Sequence, residues 1–341
     1  MTPRSDGANR QVIYEHRPQG ALSADDFRLV EVPIEAPGAG ELLCRTILLS
    51  IDPANRAWMQ ARTYRDQLTE GDVMAGFTLC EVVDGGDTNV PAGSIVACEA
   101  GWQEYAVMPV NRVRPLQPVA PLTHHMSVLG ITGLTAYFGL LAVGRPQAGE
   151  TVLVSAAAGA TGNVVGQLAR IKGCRVVGIT GSDAKNRMLV DELGFDGAAN
   201  HRDPEFTRQL REICGGAIDL YFDNVGGRVL ERALGLLQVH GRIVCCGVVS
   251  QYDTATPAAG PRGVPGLLVT KRLRMEGLLV GDYAGEWPAA TAELAHWLES
   301  GELVALEEVH DGLDAAPAAL VGLLHGDNVG KRMVRVGPDP G

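Results

Sequence analysis

The stretch Val152–Lys185, VLVSAAAGATGNVVGQLARIKGCRVVGITGSDAK, constrains the fold of this chain more than any other. Val152–Ser155 is an apolar, β-branched run, as in a strand covered on both faces. Ala156, Gly159 and Gly162 then recur at intervals of three, with Gly166 four positions further on. Glycines at this spacing let the backbone turn sharply and approach a pyrophosphate, whose charge meets the N-terminus of the following helix. That helix is predicted over Asn163–Lys172. Val164, Val165, Leu168, Ala169 and Ile171 share one apolar stripe, and Gly173 ends it. Arg175–Thr180 reads as the second strand. A glycine turn alone also serves packing; the complete strand–helix–strand unit is what selects nucleotide binding.

A cofactor with a free ribose 2′-hydroxyl is usually held by an Asp or Glu at the end of that second strand. Here Thr180, Gly181 and Ser182 end it, and Lys185 follows. Small, hydroxylated and cationic groups suit a 2′-phosphate, so the reading is NADP(H). Asp183 lies beyond the strand and reads as the cap of a helix beginning near Ala184.

With 341 residues the chain is long enough for two domains. Its net charge of −11 argues against a nucleic-acid or anionic-membrane partner, since both want a basic face. No apolar run is long enough to span a bilayer, and MTPRSDGANR has no export-signal core, so a cytoplasmic protein is expected. The cysteines form no C-x-x-C pair and read as buried free thiols. Up to about residue 120, short apolar runs (Leu42–Ile51, Thr78–Val83, Ser94–Cys98, Glu104–Met108) alternate with Gly/Pro turns, the pattern of an antiparallel barrel. From Met126 helices and strands alternate: a helix over Ser127–Ala142, the unit above, then strands at Gly197–Ala199, Asp219–Asp223, Arg242–Val249 and Arg274–Leu279. That succession predicts an α/β, doubly wound parallel sheet. Val304–Val309 and Lys331–Val336 read as strands returning to the first domain. The division expected is 1–125 with 310–341 for the β-rich domain, and 126–309 for the nucleotide domain.

Ser50–Arg56 (SIDPANR), Gly101–Tyr105 (GWQEY), Gly133–Tyr137 (GLTAY), Gly181–Lys185 (GSDAK), Asp223–Gly227 (DNVGG), Ser250–Tyr252 (SQY), Arg274–Gly277 (RMEG) and Gly326–Lys331 (GDNVGK) extend the pattern over almost the whole length. With Ala156–Gly166 they resemble the medium-chain dehydrogenase/reductase superfamily, in the branch of prostaglandin, alkenal double-bond and bacterial curcumin reductases. The resemblance implies a GroES-like β-barrel catalytic domain on a Rossmann domain, and a homodimer, for which pairing of Arg274–Leu279 with its twin would extend the sheet. The superfamily's zinc enzymes carry a Cys where Asp52 stands, a Gly-His-Glu where Ala75–Gly76–Phe77 stands, and a four-Cys lobe that this chain lacks. Three or four tetrahedral ligands are therefore not supplied. His124 and His125 are adjacent, so their side chains point apart, and a loop or helix-start role is expected.

Without a Lewis acid, the reaction expected is hydride addition from NADPH to the β-carbon of an enone or enal, followed by protonation at the α-carbon. Tyr252 is the candidate donor to the substrate oxygen; a phenol that only bonds the ribose or lines the pocket is the alternative. By the resemblance Gly159, Ala160, Thr161 and Gly162 meet the pyrophosphate, and Ser182 and Lys185 the 2′-phosphate. Asn224 lines the nucleotide cleft. Cys246, Gly247, Val248, Val249, Ser250 and Tyr252, with Leu278, Leu279 and Val280, flank the nicotinamide, and Asn328 reaches across. Lys185 also reads as a solvated helix-start lysine, and Asn224 and Asn328 as turn residues before Val-Gly. His201 stands where the branch commonly has a Tyr near the 2′-phosphate; protonated, it would bind phosphate more tightly as pH falls. Ala54–Asn55–Arg56 replaces a Pro-Tyr-Met-Arg run, which removes an aromatic from the pocket and leaves Asn55 there. Trp58, Tyr64, Trp102 and Tyr137 are the other pocket candidates, each with core packing as its alternative. A quinone reductase and a non-catalytic NADPH-binding sensor are the competing functions.

Overall fold

The computed structural model describes residues 7–117, 121–256 and 259–339; the N-terminal residues used in the export-signal reading lie mostly outside them. The expected parallel sheet is present, with strands in the spatial order Gly197–Asn200, Arg175–Thr180, Thr151–Ser155, Ile218–Asp223, Leu237–Cys245 and Arg274–Gly277. Every neighbouring pair is parallel. Val152, Leu153 and Val154 are fully buried because helices cover both faces. The chain reverses direction of winding between Thr151–Ser155 and Ile218–Asp223, the switch point where strand ends open a crevice for ligands.

A second, seven-stranded sheet is built on the long strand Glu41–Ser50, which pairs antiparallel with Thr78–Asp84, Tyr105–Pro109 and Lys331–Arg335. Glu307–Asp311 joins it beside Lys331–Arg335. A boundary at residue 310 would therefore cut through a strand of the barrel sheet. A hairpin of Ala8–Tyr14 and Phe27–Pro33 packs over one end.

Several expected elements end elsewhere, for local reasons. The helix after the glycine turn begins at Ala160, not Asn163, because Gly159 already takes the cap position. The single helix expected over Ser127–Ala142 is a short turn at Leu122–His125, an α-helix over Ile131–Tyr137 and a π-helical stretch over Phe138–Gly144. Gly130 breaks it: a side chain there would clash with the His125 carbonyl. The strand expected over Arg242–Val249 starts at Leu237, passing an irregularity where His240 has φ of 67°, and ends at Cys245. Beyond it the Cys246 and Gly247 N–H groups both turn to the Asp223 carbonyl, at 2.9 and 3.1 Å. Arg274–Leu279 is a strand only to Gly277.

Candidate active site

The carboxyl ends of the parallel strands face the barrel across a cleft of about 720 Å³. Ala156, at φ of 47°, starts the turn on its floor. A side chain on Gly162 would overlap the Ala156 carbonyl, so this position admits only glycine. The first helical hydrogen bond runs from Asn163 N–H to the Gly159 carbonyl, at 3.1 Å. The N–H groups of Ala160, Thr161 and Gly162 are thus left without an intrahelical acceptor, and all line the cleft with Gly159. The returning segment closes over this turn, with Gly330 N–H donating to the Ala158 carbonyl at 2.8 Å.

At the second strand's end, Thr180, Gly181, Lys185 and His201 line the same wall. Arg202 stands there too, with Nε 3.5 Å from where a Gly181 side chain would begin. Nothing in the spacing singled it out. Lys185 Nζ donates to the carbonyls of Gly326 and Asn328, at 2.6 and 2.7 Å, and Arg202 Nη2 to that of His325 at 2.9 Å. Burial lowers the Lys185 pKa, partly offset by Glu308 and Asp327; burial and then Arg202 lower that of His201. The Ser182 hydroxyl is not part of the wall: it accepts the Lys185 N–H at 3.3 Å and caps the helix Asp183–Asp191. Glu308 and Asp327 are near enough to act on Lys185 but do not line the cleft, and a lining that is cationic here fits a dianionic phosphate.

Asn224 is fixed by its side-chain bond to the Ser155 carbonyl, at 2.7 Å, and lines the cleft. Asp223 stands behind it, accepting from Val225 N–H, Gly226 N–H and the Tyr221 hydroxyl at 3.0, 2.8 and 2.7 Å. Burial nevertheless raises its pKa. Cys246, Gly247, Val249, Ser250 and Tyr252 form the next stretch of wall, while Val248 turns away and Leu278, Leu279 and Val280 lie outside the lining. Leu278 and Val280 pack on the core beneath the sheet instead. The Tyr252 phenol lies over Gly247, and its oxygen accepts the Val248 N–H at 3.3 Å. Burial raises its pKa, so the group is a neutral phenol at physiological pH. Cys246, for the same reason, is pushed up to about 12. Asn328 lines the cleft and also bonds its own turn through the Gly330 carbonyl, at 2.9 Å.

Of the pocket candidates, Tyr64 and Trp58 line the cleft, edge to face. The other three are corrected. Asn55 is fully buried, accepting the Asp52 N–H at 2.7 Å and donating to the Ala75 carbonyl at 2.8 Å; it fastens the start of the helix Pro53–Gln60. Trp102 is fully buried and stacks on Phe27 at 5.4 Å, in space that exists because residue 76 is glycine. Tyr137 bonds Glu293 and packs against Phe138 and Trp297. Large aromatics satisfy the core as readily as a pocket, and only the neighbours decide. Phe77, Trp287, Arg112, Arg114 and His125 line the cleft without having been expected there. Asp52 has its carboxylate engaged by Lys331 Nζ at 2.6 Å and by the Ser50 hydroxyl. Among the described residues, no three His, Cys, Asp or Glu side chains are grouped so that they could hold a metal ion.

Residues 10–116 match the family model described as N-terminal domain of oxidoreductase, and residues 160–296 the one described as zinc-binding dehydrogenase. The NADPH-dependent curcumin reductase of Escherichia coli is 38% identical over 97% of this chain and 98% of its own. The 2-alkenal reductase of Nicotiana tabacum is 36% identical over 96% and 98%. A crystal structure of CurA from Vibrio vulnificus in complex with NADPH superposes with a TM-score of 0.93, at 36% identity, over 97% of this chain and all of that one. Sequence and fold agree along the full length, and the chain belongs to the medium-chain dehydrogenase/reductase superfamily, in the branch of curcumin, alkenal and prostaglandin reductases.

Proposed function

We propose that this protein reduces the carbon–carbon double bond of α,β-unsaturated aldehydes or ketones with NADPH. The single observation that carries the reading is the Tyr252 phenol at the cleft wall, whose oxygen accepts a backbone N–H and whose own proton is left to donate. Bound NADPH supplies the hydride for the β-carbon. The free N–H groups of Ala160, Thr161 and Gly162 suit its pyrophosphate, and Lys185, Arg202 and His201 its 2′-phosphate. Tyr252 donates a hydrogen bond to the substrate's carbonyl oxygen, where negative charge gathers as the double bond is lost. Accepting the Val248 N–H polarises the phenol's O–H toward that oxygen. The apolar wall of Trp58, Phe77 and Tyr64 suits an alkene chain and excludes water around it.

Tyr252→Phe is expected to lower kcat on an enone at least tenfold, about 1.4 kcal/mol of barrier, with NADPH binding retained. Unchanged turnover would reduce Tyr252 to a wall residue. A parallel assay with a quinone separates the competing oxidoreductase: turnover of quinones alone overturns the enone reading. Tight NADPH binding with no turnover on either would favour a sensor.

The same reading includes a homodimer. Support comes from the sheet edge Arg274–Gly277, wholly exposed, with Met275, Leu279 and Val269 as exposed apolar residues nearby. Light scattering is expected to give twice the chain mass; a value near 36 kDa would refute it. All seven cysteines are free thiols, which fits a reducing, cytoplasmic compartment.

A further inference from the structure

We propose that Asp253 and Arg56 are positioning residues: their ion pair between the two domains fixes the segment that presents Tyr252 to the cleft. Arg56 lies on the barrel's helix Pro53–Gln60 and is 2% exposed. Its Nε donates to Asp253 Oδ1 at 3.1 Å, and its Nη2 to the Gly20 carbonyl at 3.0 Å. The Leu22 N–H donates to the same Asp253 oxygen at 2.8 Å. Gln60 Nε2 reaches the Thr254 carbonyl at 3.4 Å. Barrel donors thus converge on the two residues directly after Tyr252.

From the nucleotide domain, the start of the segment is held by backbone bonds and by the Ser250 hydroxyl, which donates to the Val225 carbonyl at 2.6 Å. Val249 and Ser250 N–H donate to the Asn224 and Val225 carbonyls at 3.3 and 3.1 Å, and Tyr252 N–H to Val249 at 3.2 Å. Among the described residues, the hydrogen bonds of Tyr252 itself run to its own preceding turn, at Val248 and Val249. A buried ion pair adds little net stability over well-packed apolar groups, because desolvation offsets the attraction. It does fix direction, since a guanidinium donates in one plane. Reaction geometry is sensitive on that scale: a misplacement of about 1 Å can cost roughly 100-fold. Arg56 closes the SIDPANR run, and its bond to the Gly20 carbonyl holds the stretch from which the Leu22 N–H reaches Asp253. The inference rests on Tyr252 acting as the donor to substrate.

The test uses the full chain with a simple enone, 3-nonen-2-one, and the variants D253A, R56M, Y252F, R56M/D253A and D253A/Y252F. D253A and R56M are expected to lower kcat at least tenfold while the NADPH Kd stays within threefold. Each leaves a buried charge without its partner and lowers Tm; D253A also strands the Leu22 N–H, and R56M the Gly20 carbonyl. R56M/D253A leaves no unpaired charge, although the Leu22 N–H and Gly20 carbonyl stay unpartnered; it is expected to recover part of the lost Tm and none of the lost kcat, which separates positioning from stability. In the Y252F background, D253A is expected to cost less than a further twofold. In D253A without cofactor, amide hydrogen exchange at Val249–Tyr252 is expected to rise at least tenfold, with Ala160–Ile171 unchanged. Unaltered kcat in D253A, recovery of kcat together with Tm in the double variant, a multiplicative loss with Y252F, or unaltered exchange would each overturn the proposal. A wild type that binds NADPH and reduces no enone overturns the functional reading instead, and the exchange measurement then decides the clamp by itself.

Discussion

Lys185→Met keeps the side-chain stem and removes the ammonium from the wall of the cleft. In the structure two of its three protons go to the Gly326 and Asn328 carbonyls, which leaves one donor and the full charge for a ligand. A hydrogen bond to a charged group contributes about 1.5–3 kcal/mol. Arg202 and His201 share the corner and would keep part of the attraction. A loss of about 2 kcal/mol, roughly 30-fold in the NADPH Kd, is therefore expected. The same substitution releases the returning segment, and that effect falls equally on any dinucleotide. NADH has no 2′-phosphate and isolates it. Fluorescence titration of both cofactors against both proteins gives the ratio of Kd values, and the ratio is expected to fall about 30-fold. The wild-type preference is also expected to weaken with added salt, since the corner is reached by solvent ions. Equal losses for NADPH and NADH would refute the reasoning and make Lys185 a tether only.

His201 gives a pH dependence with a definite sign. Burial and Arg202 hold its pKa below the ordinary value of 6.5, so the ring is neutral at pH 7 and charges only below that. NADPH affinity is expected to be level from about pH 8 to 7 and to rise as pH falls below about 6.5, with NADH level throughout; a flat NADPH profile in titrations down to pH 5.5 would refute it. At the other end of the cleft, Arg112 and Arg114 line the wall with no carboxylate partner among the described residues, and Arg114 lies over Trp287 at 5.7 Å. An enone bearing a terminal carboxylate is expected to show a KM several-fold below that of its methyl ester, an advantage that R114Q reduces and salt screens. Equal KM values for acid and ester would sink this.

Short-range features of the fold were legible because they are written in the backbone. Ala156, Gly159 and Gly162 dictate a turn that only small residues can make, whatever surrounds it, and the β-branched strands on either side fix a parallel unit. The strand end Thr180–Ser182, which carries no acidic residue and has Lys185 behind it, pointed to the same corner in which Lys185 and His201 stand. Fates of single large side chains were not legible. Trp58 and Trp102 read alike in sequence, yet one lines the cleft and the other stacks on Phe27. Asn55 read as a pocket residue because of the aromatic it replaces, but its amide is consumed by Asp52 and Ala75.

By itself the sequence determined the nucleotide-binding unit and the class of both domains, which depend on residue type and local spacing. Only the tertiary structure decided what meets across the cleft. Arg202 reaches the corner beside Gly181, Lys331 engages the Asp52 carboxylate, and Arg56 meets Asp253 across 197 positions. Such contacts leave no periodic signal in the chain. They arise because two separately folded sheets are packed together, and that packing aims each side chain at a partner its own neighbours in sequence do not specify.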